Sequence, residues 1–263
     1  MNTNKNGRHN LLNEYRNNSS QRHFIVWDIE TQTNIAAGDS YEDQRISVGA
    51  YYCSQNKQIY TFTEDTIKSF LYKFQHSRLA VGHYTNTFDC RVLKKYANFS
   101  VWETPSFDMC DILKSTIGRS VKLDNLARNT FNKGKTGSGR DAPRLWQNYL
   151  SLSQEAYNEV NTQEEQENFQ QQAENVLDKL NKYVIQDVNL TTKVFGHAMN
   201  HGFLKYYDKK SGEINTIDTS MWPSLARSLW NGFDAVDNML LKFGYSDKLR
   251  ERVMSDMSSE VEE

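Results

Sequence analysis

The sequence predicts an α/β fold in which helices flank a mixed β-sheet. Residues 24–27 (FIVW) and 79–82 (LAVG) are short apolar runs, which are typical of strands that are buried on both faces. Residues 45–53 and 57–63 have strand patterns separated by the turn-forming stretch 54–56, which indicates a β-hairpin. Because strand patterns come first and then alternate with helical patterns, we expect a mixed sheet of the α/β class.

The remaining elements are predicted from the helical spacing of apolar residues and from one further apolar run. A short strand is expected at 107–110. Residues 151–176 are rich in Gln, Glu and Asn, and we interpret them as a polar helical insertion. Helices are expected at 65–76, 88–96, 112–117, 123–131 and 177–201, and Gly202 ends the last of them.

Composition narrows the class of protein. The chain has 263 residues with 31 basic and 33 acidic side chains, which excludes a wholly basic surface but not a local basic patch. Its three cysteines are widely spaced, which supports neither a zinc ribbon nor a disulfide framework, and we expect a cytoplasmic protein with reduced thiols. No apolar run approaches the ~18–20 residues of a membrane helix, so we expect no membrane partner.

Two carboxylates stand where the first apolar strand ends. Asp28 and Glu30 are two residues apart and therefore point to the same face of a strand. Carboxylates that lie side by side repel one another unless a cation neutralises them, and Mg²⁺ and Mn²⁺ favour oxygen ligands. The pair indicates a metal site, although a solvated strand end would show the same pattern.

Two further elements place polar side chains on helices. Asp89 follows the turn after the 79–82 strand and falls in the first turn of a helix, where it either serves the site or complements the helix dipole. Tyr183 and Asp187 are four residues apart and share one face of the 177–201 helix. Alone, this pair is also compatible with a solvated helix face.

In this order, the three elements resemble the three motifs of the DEDD 3′–5′ exonuclease superfamily, the proofreading branch of the ribonuclease H-like fold. Tyr183, four residues before Asp187, matches the tyrosine (DEDDy) subtype. The similarity is greatest to the ribonuclease H-like exonuclease domains that occur alone or beside helicases in bacteria, and it extends over about residues 24–208. The matching stretches are DIET (28–31), VGHYTNTFD (81–89), DIL (111–113), LDNLA (123–127), GKT (134–136) and YVIQDV (183–188).

The resemblance implies a metal-dependent 3′–5′ exonuclease that acts on single-stranded or frayed 3′ ends of DNA or RNA. Asp28, Glu30 and Asp187 would hold one of two divalent cations, Mg²⁺ or Mn²⁺. Asp28 would also bridge to the second cation, assisted by Asp89 largely through water, and Tyr183 would orient the attacking water. Two other functions stay open: a nucleic-acid-binding or adaptor protein with little turnover, and an endonuclease on the same fold.

Contacts to nucleic acid are predicted in two places. Lys133, Lys135 and Arg140 lie in a glycine-rich loop, where glycines let the backbone approach phosphate and cations neutralise it. An exposed connecting loop is the alternative for this stretch. Tyr84 stands where the family usually has Asn, and its ring could stack a terminal base.

The chain is expected to divide into three parts. Residues 1–23 form a flexible Asn-rich arm, 24–208 the exonuclease domain with its 151–176 insertion, and 209–263 a helical extension with an acidic tail. An amphipathic helix at 220–243 either packs onto its own domain or binds a partner, which would be a helicase or a second copy of the chain.

Overall fold

The computed structural model describes residues 23–36, 39–134 and 141–231. Five strands form its central sheet: Phe24–Thr31 (β1), Ile46–Cys53 (β2), Gln58–Thr63 (β3), Leu79–Gly82 (β4) and Ser106–Asp108 (β5). Their order is β3-β2-β1-β4-β5, with β1 antiparallel to β2 and parallel to β4. The predicted mixed sheet is therefore confirmed, and the strand that carries the first motif lies at its centre.

Helices cover the sheet, and a separate two-stranded hairpin follows the longest of them. The α-helices of the described residues are Ile67–Gln75 (α1), Asp89–Lys94 (α2), Met109–Ile117 (α3), Leu123–Phe131 (α4), Ala142–Ala156 (α5), Gln163–His201 (α6) and Trp222–Asn231 (α7). The hairpin consists of Phe203–Asp208 (β6) and Glu213–Asp218 (β7). None of the described helices is long and apolar enough to cross a lipid bilayer.

The sheet separates two hydrophobic cores, because alternate residues of β1 point to opposite faces. On one face, the ring of Trp27 lies 5.5 Å from that of Phe70 and 5.1 Å from that of Phe74, both on α1. On the other face, Val26 belongs to the same core as Val184 of α6. Burial on both faces explains why β1 begins as an uninterrupted apolar run.

One strand is shorter than its sequence pattern predicts. Met109 and Cys110 belong to α3 and not to the strand predicted at 107–110. The side chain of Asp108 causes the change, because it accepts hydrogen bonds from the backbone N–H groups of Cys110 and Asp111 and so starts a helix.

The helix α6 begins much earlier than the sequence predicts. It follows Thr162, whose side chain forms a capping box with Glu165, and it continues for 39 residues. The segment 151–176 is helical as predicted except at residues 157–162, which form a turn. It is the tip of a helical hairpin made by the end of α5, this turn and the start of α6. Ala173 and Val176 are buried, so part of this polar segment contributes to the core.

The hairpin β6–β7 is absent from the sequence-based prediction. Its register pairs Phe203 with Asp218 and Asp208 with Glu213. The domain boundary predicted at residue 208 therefore falls at the turn of this hairpin.

The helix α7 packs onto the rest of the described fold. The ring of Trp222 lies 5.2 Å from that of Phe107 on β5, and Leu225 and Leu229 are buried. This part of the predicted 220–243 helix therefore turns its apolar side to its own domain. The remainder of that helix, the 1–23 arm except His23, and the acidic tail lie outside the described residues.

Candidate functional site

Three carboxylates from two elements meet beside the central strand. Asp28 and Glu30 are two residues apart on β1, and Asp187 lies on α6, which packs against β1 and β2. Ligand oxygens of the three side chains all lie within 4.8 Å of one another. The strand spacing and the path of α6 thus bring together three residues that the sequence analysis assigns to a metal.

Apolar neighbours on its own helix hold Asp187 in place. Val184 and Val188 are fully buried in the core that includes β1, and Asp187 stands between them on the same helical turns. Its side chain is therefore turned inward, and the residue is only 2% exposed. A carboxylate this deeply buried next to two others is costly unless positive charge or hydrogen bonds compensate it.

Asp89 lies at the first turn of α2, next to the strand that carries Asp28. Its Oδ1 accepts a hydrogen bond from the backbone N–H of Ile29 at 3.2 Å, so Asp89 contacts β1 between the two carboxylates of that strand. Burial raises the pKa of Asp89 well above its usual range, and the negative charge of Asp28 raises it further. Asp89 therefore lies close enough to Asp28 to feel its charge, although it is not one of the three members of the cluster.

Tyr183 places a phenol beside the same carboxylates. It is one helical turn before Asp187 on α6 and is partly buried. Burial raises the pKa of Tyr183 far above its usual value, and the charges of Asp187, Glu30 and Asp28 contribute in the same direction. The hydroxyl therefore keeps its proton throughout the neutral pH range.

The donor set suits a hard divalent cation. Asp28, Glu30 and Asp187 offer only carboxylate oxygens, which Mg²⁺ and Mn²⁺ prefer over softer ligands. Three carboxylates this close together repel one another, and a bound cation would relieve that repulsion. These three residues would hold the ion, and their role as ligands stays a prediction.

The turn after β4 presents Tyr84 at the surface. A Cβ atom at Gly82 would lie 2.2 Å from Cγ2 of the buried Thr85, so only glycine fits the start of this turn. Tyr84 has a φ of 75° and is 42% exposed. Its ring is therefore accessible to a base, although the stacking role stays a prediction.

Asp108 is a residue of this region that the sequence analysis missed. Its buried carboxylate accepts hydrogen bonds from the backbone N–H groups of Tyr84 at 2.8 Å and Asn86 at 2.9 Å. It also caps α3, so one side chain ties the turn after β4 to the next helix. Burial raises the pKa of Asp108, whereas these hydrogen bonds lower it. The available signal was an Asp just before an apolar helical pattern, a favoured N-cap.

The loop predicted to contact phosphate is described only in part. Lys133 is exposed, whereas Lys135 and Arg140 lie outside the described residues. At the start of the loop, a Cβ atom on Gly134 would lie 2.5 Å from Nε of Arg128 on α4. The loop therefore begins in direct contact with a basic side chain of the helix before it.

Comparison with known proteins supports the fold and the general class of the site. Among curated proteins, none matches the chain. The family model described as the RNase_H superfamily matches residues 25–199, a span that contains Asp28, Glu30, Asp89, Tyr183 and Asp187. RNase H-like nucleases usually use divalent metals and act on nucleic acid, in agreement with the acidic cluster. The chain therefore belongs to the RNase_H superfamily, and this membership indicates a nuclease.

Proposed function

We propose that the protein is a metal-dependent 3′–5′ exonuclease of the DEDDy subtype. The observation that carries the proposal is the meeting of Asp28, Glu30 and Asp187 within 4.8 Å, with the phenol of Tyr183 beside them. The order of these residues along the chain and the spacing of Tyr183 and Asp187 match the motifs of that subtype.

The carboxylates would hold two divalent cations, Mg²⁺ or Mn²⁺. Asp28, Glu30 and Asp187 would bind the first, and Asp28 with Asp89 would serve the second. When bound, such a pair of ions readies a water for attack and stabilises the leaving 3′ oxygen. Asp187 and Asp89 are both buried, and the attraction between a carboxylate and a cation is stronger in such an environment of low dielectric constant than in water.

Tyr183 would position the attacking water. Its hydroxyl stays protonated at neutral pH, so it can donate one hydrogen bond and accept another. Hydrolysis by a water oriented in this way proceeds without a covalent intermediate on the protein. Tyr84, with its exposed ring on the fixed turn after β4, would stack the terminal base and favour attack at a strand end.

Location and partners form part of the same proposal. The described cysteines, Cys53, Cys90 and Cys110, are all buried and form no disulfide, which suits a reducing cytoplasm.

A helicase or a second copy of the chain would bind through the part of the predicted 220–243 helix that follows α7. Native mass spectrometry of the full chain, and of a chain that ends after α7, tests self-association.

Degradation of end-labelled strands tests the activity. Single-stranded DNA and RNA with a 5′ label should shorten stepwise from the 3′ end in Mg²⁺ or Mn²⁺, and a 3′ label should leave as a mononucleotide. EDTA, Asp28→Asn and Asp187→Asn should each abolish release, because they remove the cation or its ligands. Comparing the two substrates also assigns DNA or RNA.

Two results would replace the proposal with one of its alternatives. Cleavage of a circular single strand would indicate an endonuclease, since a circle has no 3′ end. Binding of linear strands without any release in either metal would indicate a nucleic-acid-binding or adaptor protein.

A further inference from the structure

A basic groove of about 640 Å³ lies between the α3–α4 connection and the hairpin β6–β7. Its lining contains five basic and two acidic side chains, although the whole chain has a net charge of −2. A polyanion is attracted to such a local excess of positive charge even when the protein as a whole is slightly acidic. The basic residues are Arg119, Lys122, Arg128, Lys209 and Lys210.

Side chains of α4 fix the two walls of the groove to each other. The Asn125 amide accepts a hydrogen bond from the backbone N–H of Tyr207 at 2.8 Å and donates one to its carbonyl at 2.9 Å. Thr130 Oγ1 accepts another from the N–H of Lys205 at 3.0 Å. These bonds pair the open edge of β6 with helix side chains, so the hairpin is held against α4 instead of projecting freely.

Two ion pairs line the groove. The Arg119 guanidinium donates a hydrogen bond to Oδ1 of Asp208 at 2.7 Å and forms an ion pair with Oδ2 at 2.6 Å, and its Cζ lies 5.0 Å from the ring centroid of Tyr206. This arginine lowers the pKa of Asp208 to about 2, so the pair stays charged at neutral pH. Arg128 is paired with Asp124 at 2.7 Å in the same way.

The net positive charge therefore comes from the three lysines. Lys122, Lys209 and Lys210 are all exposed, and each can reach toward a phosphate in the groove. Tyr207 also lines the groove and is 42% exposed, so its ring can stack a base. Lysines combined with an exposed aromatic ring are the pattern by which single strands are bound without regard to sequence.

The groove is connected to the active-site turn at one end. His83 Nε2 donates a hydrogen bond to the carbonyl of Val121 at 2.9 Å, which ties the turn carrying Tyr84 to the groove wall. At the Arg128 side, Gly134 begins the loop with the predicted phosphate contacts. The groove therefore links the two regions that the sequence analysis assigns to nucleic acid.

We propose that this groove binds single-stranded nucleic acid, holding the part of the strand that leads away from the active site through phosphate contacts to the three lysines and stacking on Tyr207. The proposal rests on the proposed function, since it supplies the path of that substrate. It predicts that longer strands bind more tightly than short ones, because only they reach the groove.

A charge-neutral triple variant tests the groove. Fluorescence anisotropy in EDTA would compare Lys122→Gln/Lys209→Gln/Lys210→Gln with the wild type on oligothymidylate and oligouridylate of about 16 nucleotides and of about four. The variant should bind the longer strands about ten- to a hundredfold more weakly at low salt. Its log–log salt slope should fall by about 2, since each lost phosphate contact contributes about 0.7. Binding of the short strands should stay unchanged.

The control variant Lys57→Gln/Lys68→Gln/Lys73→Gln removes the same charge elsewhere. Lys68 and Lys73 lie on α1, which covers the opposite face of the sheet. A control that loses as much affinity as the groove variant would overturn the proposal, because net charge alone would then explain binding. A groove variant with wild-type affinity and slope, or a wild type that does not distinguish the two lengths, would overturn it as well.

The groove and the nuclease activity can fail separately. Binding is measured in EDTA, where metal-dependent cleavage does not occur. Weaker binding by the groove variant would therefore support the groove even if the protein proved to have no nuclease activity. Conversely, nuclease activity with the same KM for long strands in the wild type and the groove variant would support the proposed function and contradict the proposed role of the groove.

Discussion

The charge of Asp28 acts on several neighbours at once. It contributes to the raised pKa of Asp89 and of Tyr183. Asp28→Asn should therefore abolish nuclease activity and yet raise the melting temperature of the metal-free protein at neutral pH. The gain should shrink as the pH falls through the raised pKa of Asp89, because a protonated Asp89 is not repelled. Calorimetry in EDTA over a pH series measures both effects.

Metal addition provides the complementary measurement for this variant. A cation that binds only the folded state stabilises it by about 2.7 kcal/mol at a hundred times its Kd. Magnesium should therefore raise the melting temperature of the wild type more than that of Asp28→Asn. Equal shifts in the two proteins would remove Asp28 from the metal site.

The hydroxyl of Tyr183 can be tested without disturbing the carboxylates. Tyr183→Phe keeps the aromatic ring and removes the hydroxyl group proposed to orient water. The rate at saturating substrate should fall by about 10²–10⁴, the range for a positioned group that handles a proton. Tyr157→Phe, at a site 82% exposed, is the matched control and should keep the full rate.

The magnesium-dependent rise in melting temperature separates two explanations for a slow Tyr183→Phe enzyme. If the hydroxyl acts only on water, the rise should equal that of the wild type. Full activity in Tyr183→Phe would show that the site does not use the tyrosine-subtype mechanism.

The turn after β4 depends on the absence of one side chain. In Gly82→Ala, the new Cβ would lie 2.2 Å from Cγ2 and 2.4 Å from Oγ1 of Thr85. Overpacking of this kind should lower the free energy of unfolding by about 1–3 kcal/mol. The turn also carries Tyr84, so substrate affinity should fall with stability. Urea denaturation and strand binding measure the two effects.

A second substitution should partly rescue this variant. Thr85→Ala removes the two closest atoms and leaves its own Cβ at 2.8 Å, so the rescue is partial. Thr85 Oγ1 has no hydrogen-bond partner among the described residues, so none is lost. Gly196→Ala is the control, because nothing in the described structure lies within 4 Å of a Cβ there and alanine favours a helix. If Gly82→Ala is as stable as Gly196→Ala, the turn does not require glycine.

Elements with their own periodicity are predictable from sequence, and those that depend on distant contacts are not. The helix α4 has the predicted bounds because its apolar residues repeat at helical spacing. The hairpin β6–β7 is missed because only a few of its residues, including Leu204 and Ile217, are buried, and the hydrogen bonds to Asn125 that hold it come from α4. Gly212, which has a φ of 75° in the turn, was one local signal of a hairpin.

The candidate site also has features that local sequence predicts and features that depend on distant contacts. The shared face of Asp28 and Glu30 is a property of strand geometry and needs no tertiary information. The position of Asp187 depends on how α6 crosses the sheet, which only the resemblance to a known fold could supply. The contacts of Asp108 join the turn after β4 to α3, the helix that follows β5. The sequence of either segment alone does not predict these contacts.

Charge is distributed unevenly over the whole molecule. The tip of the α5–α6 hairpin is acidic, and the groove is basic. Neutralising the exposed Glu164, Glu167 and Glu174 with Gln should raise affinity for single strands a few-fold at about 10 mM salt, where charges act over about 30 Å. At about 1 M salt the difference should vanish. A difference that persists at high salt would indicate direct contact with the hairpin.

The order of the elements along the chain also determines when during synthesis the three-carboxylate cluster can assemble. The central strand β1 is made first, yet one neighbour, β4, and the helix that supplies Asp187 are made much later. A chain still attached to the ribosome before α6 has emerged holds Asp28 and Glu30 without their third partner. Assembly of the site must therefore wait for contacts between distant parts of the chain, which form slowly.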